Sequence, residues 1–481
     1  MQFDSYLFLL MFLPLTAVAH YLLCRGFSQR AAQGLLILAS VVFYAWGNWK
    51  LAVFLAGWVL VNWLMFHLTK VLKARNSVRG SRFIGIVAIC LNVGLLGYCK
   101  YASFFVESLN QLLKTSWVVT SVLLPVGISF LTFQQLAFIV DTMRGDIRDC
   151  SFCDYTLFFT YFPKVLSGPI TLHNEFLGKR ATFSWNNFAR GSQLLAIGLG
   201  KKVLIADCVA RVVNQAYQME PAVLGTLGSL VTLLCYTFQI YFDFSGYSDM
   251  ARGISLFYGY ELPINFDSPY TALNIGDFWK RWHITLTRFL TRYIYIPLGG
   301  SRKGLARTCV NTLIVFFISG IWHGASQTFI LWGLMHGVAL VLYKLFKRRV
   351  DSWHPALGWI LTFAFVNVTW AFFRADTPGA AIALLKQLAH PETSMPAALV
   401  SAFFSSGVTE LISALGLQAK QAVLLFCSLA LLLLLVLKKR NSNQLTNTKD
   451  FSVLHALGYA LIMVCSICSF AGVSEFVYGA F

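Results

Sequence analysis

Three stretches of the 481-residue chain carry side chains able to do chemistry in an otherwise apolar setting. In Ile318-Ser-Gly-Ile-Trp-His-Gly-Ala325, His323 stands among apolar residues and beside glycines that let another chain or a ligand approach its ring. A neutral imidazole is the side chain best suited to take a proton near pH 7 without a buried charge at rest. The same residues fit a core histidine bonded to a neighbouring helix, and the tripeptide alone leaves both readings open. In Phe278-Trp-Lys-Arg-Trp-His-Ile-Thr-Leu-Thr-Arg-Phe289, His283 lies with Trp279, Lys280, Arg281, Trp282 and Arg288. Read as one amphipathic helix, the stretch puts positions 281, 288 and 292 on one stripe. Those cations suit the phosphates of an acyl donor, and equally suit lipid head groups. In Tyr241-Phe-Asp-Phe-Ser-Gly-Tyr-Ser-Asp249, Asp243, Ser245 and Asp249 are packed among aromatics. Such polarity is costly in hydrocarbon and must face a cavity or a partner, either orienting an imidazole or pairing with a cation.

The elements that must position these groups are set by composition. Hydrophobic residues make up 57% and charged residues 12%, with 42 Phe and 13 Trp. A soluble domain carries roughly a quarter charged residues, so the chain reads as an all-α polytopic membrane protein. The aromatic content excludes disorder. The net charge of +18 belongs in loops rather than on a nucleic-acid groove, and no nucleic-acid partner is expected.

Apolar runs near 5–24, 31–45, 51–69, 83–106, 117–140, 188–213, 222–247, 308–343, 356–373, 421–437 and 453–472 predict about 10–12 spanning helices, with 308–343 long enough to be split. Arg25, Arg30, the cations from Lys70 to Arg82, Arg144, Arg148, Lys344 to Arg349 and Lys438 to Arg440 fall in alternate loops, which places the N-terminus on the outer side of the membrane. The first apolar run lacks a leading cation and a cleavage motif, so it reads as a span and not a signal peptide. Between Tyr155 and Trp322, Pro163, Gly168, Pro169, Gly246, Gly253, Pro263, Pro269, Pro297, Gly299 and Gly300 interrupt the apolar runs. Broken backbone at membrane depth survives where protein or a water-filled cavity satisfies it, so re-entrant segments around a site are expected there. The chain divides into N-terminal spans (1–150), a core with broken helices (151–345) and C-terminal spans (346–481), all within one membrane-embedded domain.

Weaker signals fail on chemistry. Gly198-Leu-Gly-Lys-Lys202 lacks the spacer and final Ser or Thr of a phosphate loop. Cys150 and Cys153 have no second pair, Cys465 and Cys468 fall in an apolar span, and no metal site is expected. No Gly-x-Ser-x-Gly elbow is present, and a nucleophilic cysteine has no flanking base. His336, 13 residues beyond His323, reads as a packing or secondary polar residue.

Taken in order, Tyr161-Phe-Pro-Lys-Val-Leu-Ser-Gly-Pro-Ile170, Gly200-Lys-Lys-Val-Leu-Ile-Ala-Asp207, Tyr241 to Met250, Asn265-Phe-Asp-Ser-Pro-Tyr270, Asp277 to His283, Tyr293-Ile-Tyr-Ile-Pro-Leu-Gly-Gly-Ser-Arg302 and Trp322-His-Gly-Ala325 resemble the membrane-bound O-acyltransferase (MBOAT) family. The likeness is to its bacterial branch typified by the alginate O-acetylation membrane protein, and Phe476-Val-Tyr-Gly-Ala-Phe481 loosely resembles the aromatic terminus of that branch. Ser167 stands where Ala is commoner and Lys280 where Arg is common, both keeping size or charge. The resemblance implies a helical fold around an acyl-transfer tunnel, with His323 essential and His283 its partner.

It further implies a short acyl group, acetyl from acetyl-CoA, taken at the cytoplasmic side and passed to an exported polysaccharide with a separate periplasmic transferase. No bound cofactor is expected. His323 serves as general base, and His283 orients a carbonyl or donates to the oxyanion. Lys201, Lys202, Lys280, Arg281 and Arg288 are the candidates for the donor's phosphates, with Trp279, Trp282, Trp322, Asp243, Ser245 and Asp249 nearby. Peptidoglycan or cellulose O-acetylation and teichoic-acid D-alanylation from a carrier-bound thioester are neighbouring readings. A donor transporter without chemistry and a scaffold for the periplasmic enzyme belong to other classes, and both require that His323→Ala preserve function.

Overall fold

The computed structural model describes residues 1–118, 125–147, 149–179, 183–390, 395–404, 410, 420–438, 440–446 and 452–470. Arg148, Lys439 and the terminal segment 471–481 with its aromatic motif lie outside the described residues. Those described are helical or loop, with no strand among them. Seven helices among them are long and apolar enough to cross a membrane: α1 (Phe8–Gly26), α3 (Trp49–Ala74), α4 (Val78–Asn110), α9 (Pro221–Phe257), α12 (Gly304–His323), α13 (Gln327–Leu345) and α15 (Pro355–Arg374). The shorter helices α2 (Gln29–Ala45), α18 (Gln421–Leu437) and α19 (Val453–Cys468) have 17, 17 and 16 residues. At ~1.5 Å per residue those helices reach about 25 Å, which accounts for the gap between seven and the 10–12 expected runs. The 308–343 run is split as its length predicts, by Gly324–Ser326.

The chain forms two compact units, 1–196 with 247–264 and 197–246 with 265–469, plus short terminal pieces. The first holds α1 to α4 with α5 (Ile128–Arg144), α6 (Phe152–Thr160) and most of α7 (Trp185–Leu199). Ser28 starts α2 by accepting from the Ala31 N–H at 3.2 Å, and Gly145 (φ +91°) ends α5 by donating to the Asp141 carbonyl. The amide of Asn92 donates to Asn62 Oδ1 at 2.6 Å, a polar tie between α4 and α3 where apolar attraction between helices is weak. The outer faces of α1 and α3 show Leu10, Leu22, Val53 and Leu60 half exposed, the surface a lipid-facing helix needs. The Tyr161–Ile170 loop is buried, and Lys164 within it donates to Gln134 Oε1 at 2.6 Å with its ammonium 3.8 Å from the Phe158 ring centre. Burial pushes this amine well below the ordinary lysine pKa.

The second unit is organised by the α12–α13 hairpin. Gly320 and Gly333 make it possible: a Cβ on Gly333 would meet the Phe316 carbonyl, and one on Gly320 the Phe329 carbonyl. Ser326 caps α13 and Pro355 opens α15 at its first turn. The same unit holds the short helices α10 (Ile275–Arg281) and α11 (Ile284–Leu290), a π-helical turn Thr291–Tyr295, α8 (Asp207–Tyr217), α14 (Lys347–Asp351), α16 (Pro378–Gln387) and α17 (Ala397–Phe403). The continuous amphipathic helix read over 278–289 is absent. Trp282 is extended (φ −95°, ψ 128°) and His283 is left-handed (φ +46°), so two seven-residue helices meet at a corner and the stripe through 281, 288 and 292 is broken.

Candidate active site

His323 is the last residue of α12 and 2% exposed. Its ring is boxed by Trp322, Trp332 and Phe373 at centroid distances of 4.8, 5.0 and 5.2 Å, all edge-to-face. The indole Nε1–H of Trp332 is fully buried and meets no hydrogen-bond acceptor among the described residues, and so does Ser319, one turn before His323 on α12.

His283 is fully buried at the corner between α10 and α11. Asn265 fixes its tautomer. Asn265 Oδ1 accepts from Thr285 Oγ1 at 2.9 Å and from the Thr285 N–H at 3.3 Å, so it is the acceptor toward His283 Nδ1 at 3.1 Å as well. Nδ1 therefore carries the proton, and Nε2 keeps the lone pair. Burial pushes this imidazole down to about 3, so it is neutral at physiological pH. Neutral in this tautomer, Nε2 accepts rather than donates, which alters the expected role of donor to an oxyanion. Phe244 packs on the His283 ring at 4.8 Å. Trp322 lies 6.0 Å from His283 and 4.8 Å from His323, so one indole touches both imidazoles.

A cavity of about 230 Å³ lies among α10, α11, α12 and α13 and reaches Ser319, one turn before His323, though neither histidine is among its lining residues. Trp279, Phe316 and Ser319 form its inner wall, and Lys280, Tyr295, Thr312 and Lys344 stand around it. Lys344 Nζ donates to Thr312 Oγ1 at 2.6 Å and lies over the Tyr295 ring at 5.1 Å. Trp279 is held by a relay that spacing did not reveal: its Nε1–H donates to His336 Nδ1 at 3.3 Å, His336 Nε2–H donates to Thr369 Oγ1 at 3.0 Å, and Thr369 donates to the Val366 carbonyl at 2.8 Å. Of the two readings for His336, packing or a secondary polar role, the relay matches the second, for it holds the indole that walls the cavity. Trp279 packs in turn on Trp332 at 5.9 Å, the neighbour of His323. The glycines that separate His336 and His323 in sequence gave no hint of this relay, whose partners lie 57 and 33 residues from His336.

The remaining expected residues separate. Trp282 is buried against Phe278, Phe266 and Trp370. Lys280 is exposed at the cavity. Arg281 gives its Nε–H to both oxygens of Asp277 at 3.0 Å, an i,i+4 pair on α10, and Arg288 is half-buried on α11. Lys201 donates to Ser442 Oγ at 3.4 Å and lies 5.9 Å from the Tyr241 ring centre. Lys202 is 4% exposed and bridges Asp243 at 2.9 Å and Asp207 at 3.0 Å, which is structural pairing and not a surface for phosphate. Ser245 is buried on α9, and Asp249 belongs to the first unit, where Arg252 Nη1 lies 3.7 Å away.

Residues 100–375 match the model of the membrane-bound O-acyltransferase family. The peptidoglycan O-acetyltransferase of Helicobacter pylori is 38% identical over 419 residues, covering 80% of this chain and 79% of that protein. The "Probable alginate O-acetylase AlgI" of Pseudomonas aeruginosa is 35% identical over 385 residues, covering 78% and 72%. The teichoic acid D-alanyltransferase of Bacillus subtilis is 29% identical over 262 residues, covering 50% and 66%.

Proposed function

From a chain that belongs to the membrane-bound O-acyltransferase family, and is an O-acyltransferase, we propose a specific reaction: transfer of an acetyl group from acetyl-CoA, taken at the cytoplasmic face of a bacterial inner membrane, to a hydroxyl destined for an exported polysaccharide. The observation that carries this reading is the aromatic box around His323 beside a cavity with lysines on its rim. The acceptor oxygen attacks the thioester carbonyl while His323 removes its proton. The C–S bond then breaks, and the leaving thiolate takes the proton from the imidazolium, so the enzyme ends unchanged with free thiol and ester as products. Trp332 Nε1–H is the donor at hand for the oxyanion. His283, an acceptor through Nε2, orients the incoming hydroxyl. Lys280 and Lys344 attract the donor's phosphates, a role in which Lys202 and Arg281 are replaced because both already hold carboxylates. The N-terminus faces the periplasm in this reading, and a separate periplasmic transferase completes delivery to the polymer.

Alginate or a similar exopolysaccharide is the acceptor polymer, and the Helicobacter pylori relative supports peptidoglycan as the second reading. The test is transfer from radiolabelled acetyl-CoA in proteoliposomes by wild type, His323→Ala and His283→Ala. Loss of general base catalysis predicts a fall of about 10²–10⁴-fold for His323→Ala. Undiminished transfer by both variants overturns the mechanism.

A further inference from the structure

A second cavity, of about 570 Å³, lies on the opposite side of α13 in the second unit, between the C-terminal half of α13, α14 and α15. Its volume falls within the ~300–1,000 Å³ of ligand sites. Its walls are apolar: Leu342, Phe346, Val350, Leu361 and Phe365 line it, and Leu342, Phe346 and Leu361 are half exposed. One end is different. Arg349 and Trp353 line that end, and the segment around them carries Lys347, Arg348 and Arg349 in succession against a single acid, Asp351. Asp351 is already engaged, by Tyr343 OH at 3.1 Å, by the Asn274 amide at 3.5 Å and by Lys347 at 3.9 Å. No carboxylate lies within ion-pair distance of Arg349 among the described residues.

We propose that this groove binds one anionic phospholipid, its acyl chain laid along α13 and α15 and its phosphate held by Arg349. Three observations select this occupant over a protein segment. The groove opens between two helices of membrane-spanning length and hydropathy, so hydrocarbon is what surrounds it. The cationic end complements a phosphate, and basic pockets between spanning helices are recognised sites for anionic head groups. Trp353 stands at the same end, the position of an interfacial aromatic. The site also touches the active centre indirectly. Phe365, in its wall, packs on His336 at 5.2 Å, and Ile275 opens the helix that carries Trp279. A bound lipid therefore braces the relay that sets the cavity wall.

Native mass spectrometry of the detergent-purified protein, titrated separately with phosphatidylglycerol and phosphatidylcholine, tests the proposal. Wild type retains phosphatidylglycerol preferentially. Arg349→Gln weakens that binding about five- to tenfold and leaves phosphatidylcholine unchanged. Leu361→Trp, filling the groove from a half-exposed position, weakens both. Arg30→Gln, removing an exposed cation in the first unit, changes neither. Equal retention of the two lipids by wild type, the same loss in Arg30→Gln as in Arg349→Gln, or intact phosphatidylglycerol binding by Leu361→Trp each overturns the site. Size exclusion and melting of each variant establish that it is folded, and none of these readouts depends on acyl transfer.

Discussion

Replacing Lys202 by Met separates a structural cation from a substrate-binding one. Lys202 is 4% exposed, with Asp243 Oδ1 at 2.9 Å and Asp207 Oδ1 at 3.0 Å; the side chain of Asp243 is itself 2% exposed. At an effective dielectric of about 20, unit charges at that separation attract by ~6 kcal/mol. Part of this was spent in desolvating the ions, and removing one partner of a buried pair costs about 3–5 kcal/mol in practice. Lys202→Met leaves two carboxylates without that cation, so a loss of about 3 kcal/mol and a melting temperature lower by roughly 5 °C are expected. Asp243→Asn still leaves Lys202 paired with Asp207 and costs about 1 kcal/mol. The double variant costs about 2 kcal/mol instead of the additive ~4, a coupling of about 2 kcal/mol. The assay is a double-mutant cycle by thermal unfolding in detergent, with the KM for acetyl-CoA measured on the folded fraction. A tenfold rise in KM for Lys202→Met at unchanged melting temperature refutes the reasoning and returns Lys202 to the donor site.

Trp332→Phe keeps the ring against His323 and removes the N–H; transfer in proteoliposomes falls about 10²-fold in kcat with little change in KM, and full activity removes Trp332 as the oxyanion donor. Thr369→Val takes the acceptor from His336 Nε2–H and strands a buried donor at a cost of about 1–3 kcal/mol, with KM rising more than kcat falls because the Trp279 wall shifts. His283, neutral down to about 3 when folded and 6.5 when unfolded, gives a definite sign: the unfolded chain binds the proton first, so stability is lost as pH falls from about 6.5 toward 3. His283→Gln flattens this slope in an acid titration of the melting temperature. Gly333→Ala drives a methyl into the Phe316 carbonyl and costs about 1–3 kcal/mol by overpacking, read as reduced folded yield and activity together.

The membrane fold was legible because hydrocarbon demands long apolar runs, and six of those runs hold the seven helices of spanning length, 308–343 supplying two. The close approach beside His323 was legible in part: the glycines admitted another chain or a ligand, and Gly320 and Gly324 both lie against Phe329. Local pairing was missed even where spacing allowed it: Arg281, read as a phosphate or head-group contact, pairs with Asp277 four residues away on one helix. What stayed hidden depends on partners distant in sequence. Lys202 meets Asp243 and His336 meets Trp279 only after folding, and no local pattern encodes either contact. The corner at Trp282 and His283 was also invisible, because the residues there are good helix formers by period and only the pull of Asn265 on His283 and Thr285 turns the chain.

That turn sets two independent filters on any side chain placed at 283. The first is handedness: a backbone at φ +46° is tolerated by glycine and asparagine and resisted by branched residues, at a cost of about 1–2 kcal/mol. The second is the ring itself. Glycine and asparagine pass the first and fail the second, whereas alanine is penalised by both. A library at this one codon, sorted once for folded protein and once for acetylated product, would therefore divide architecture from reactivity without touching another residue.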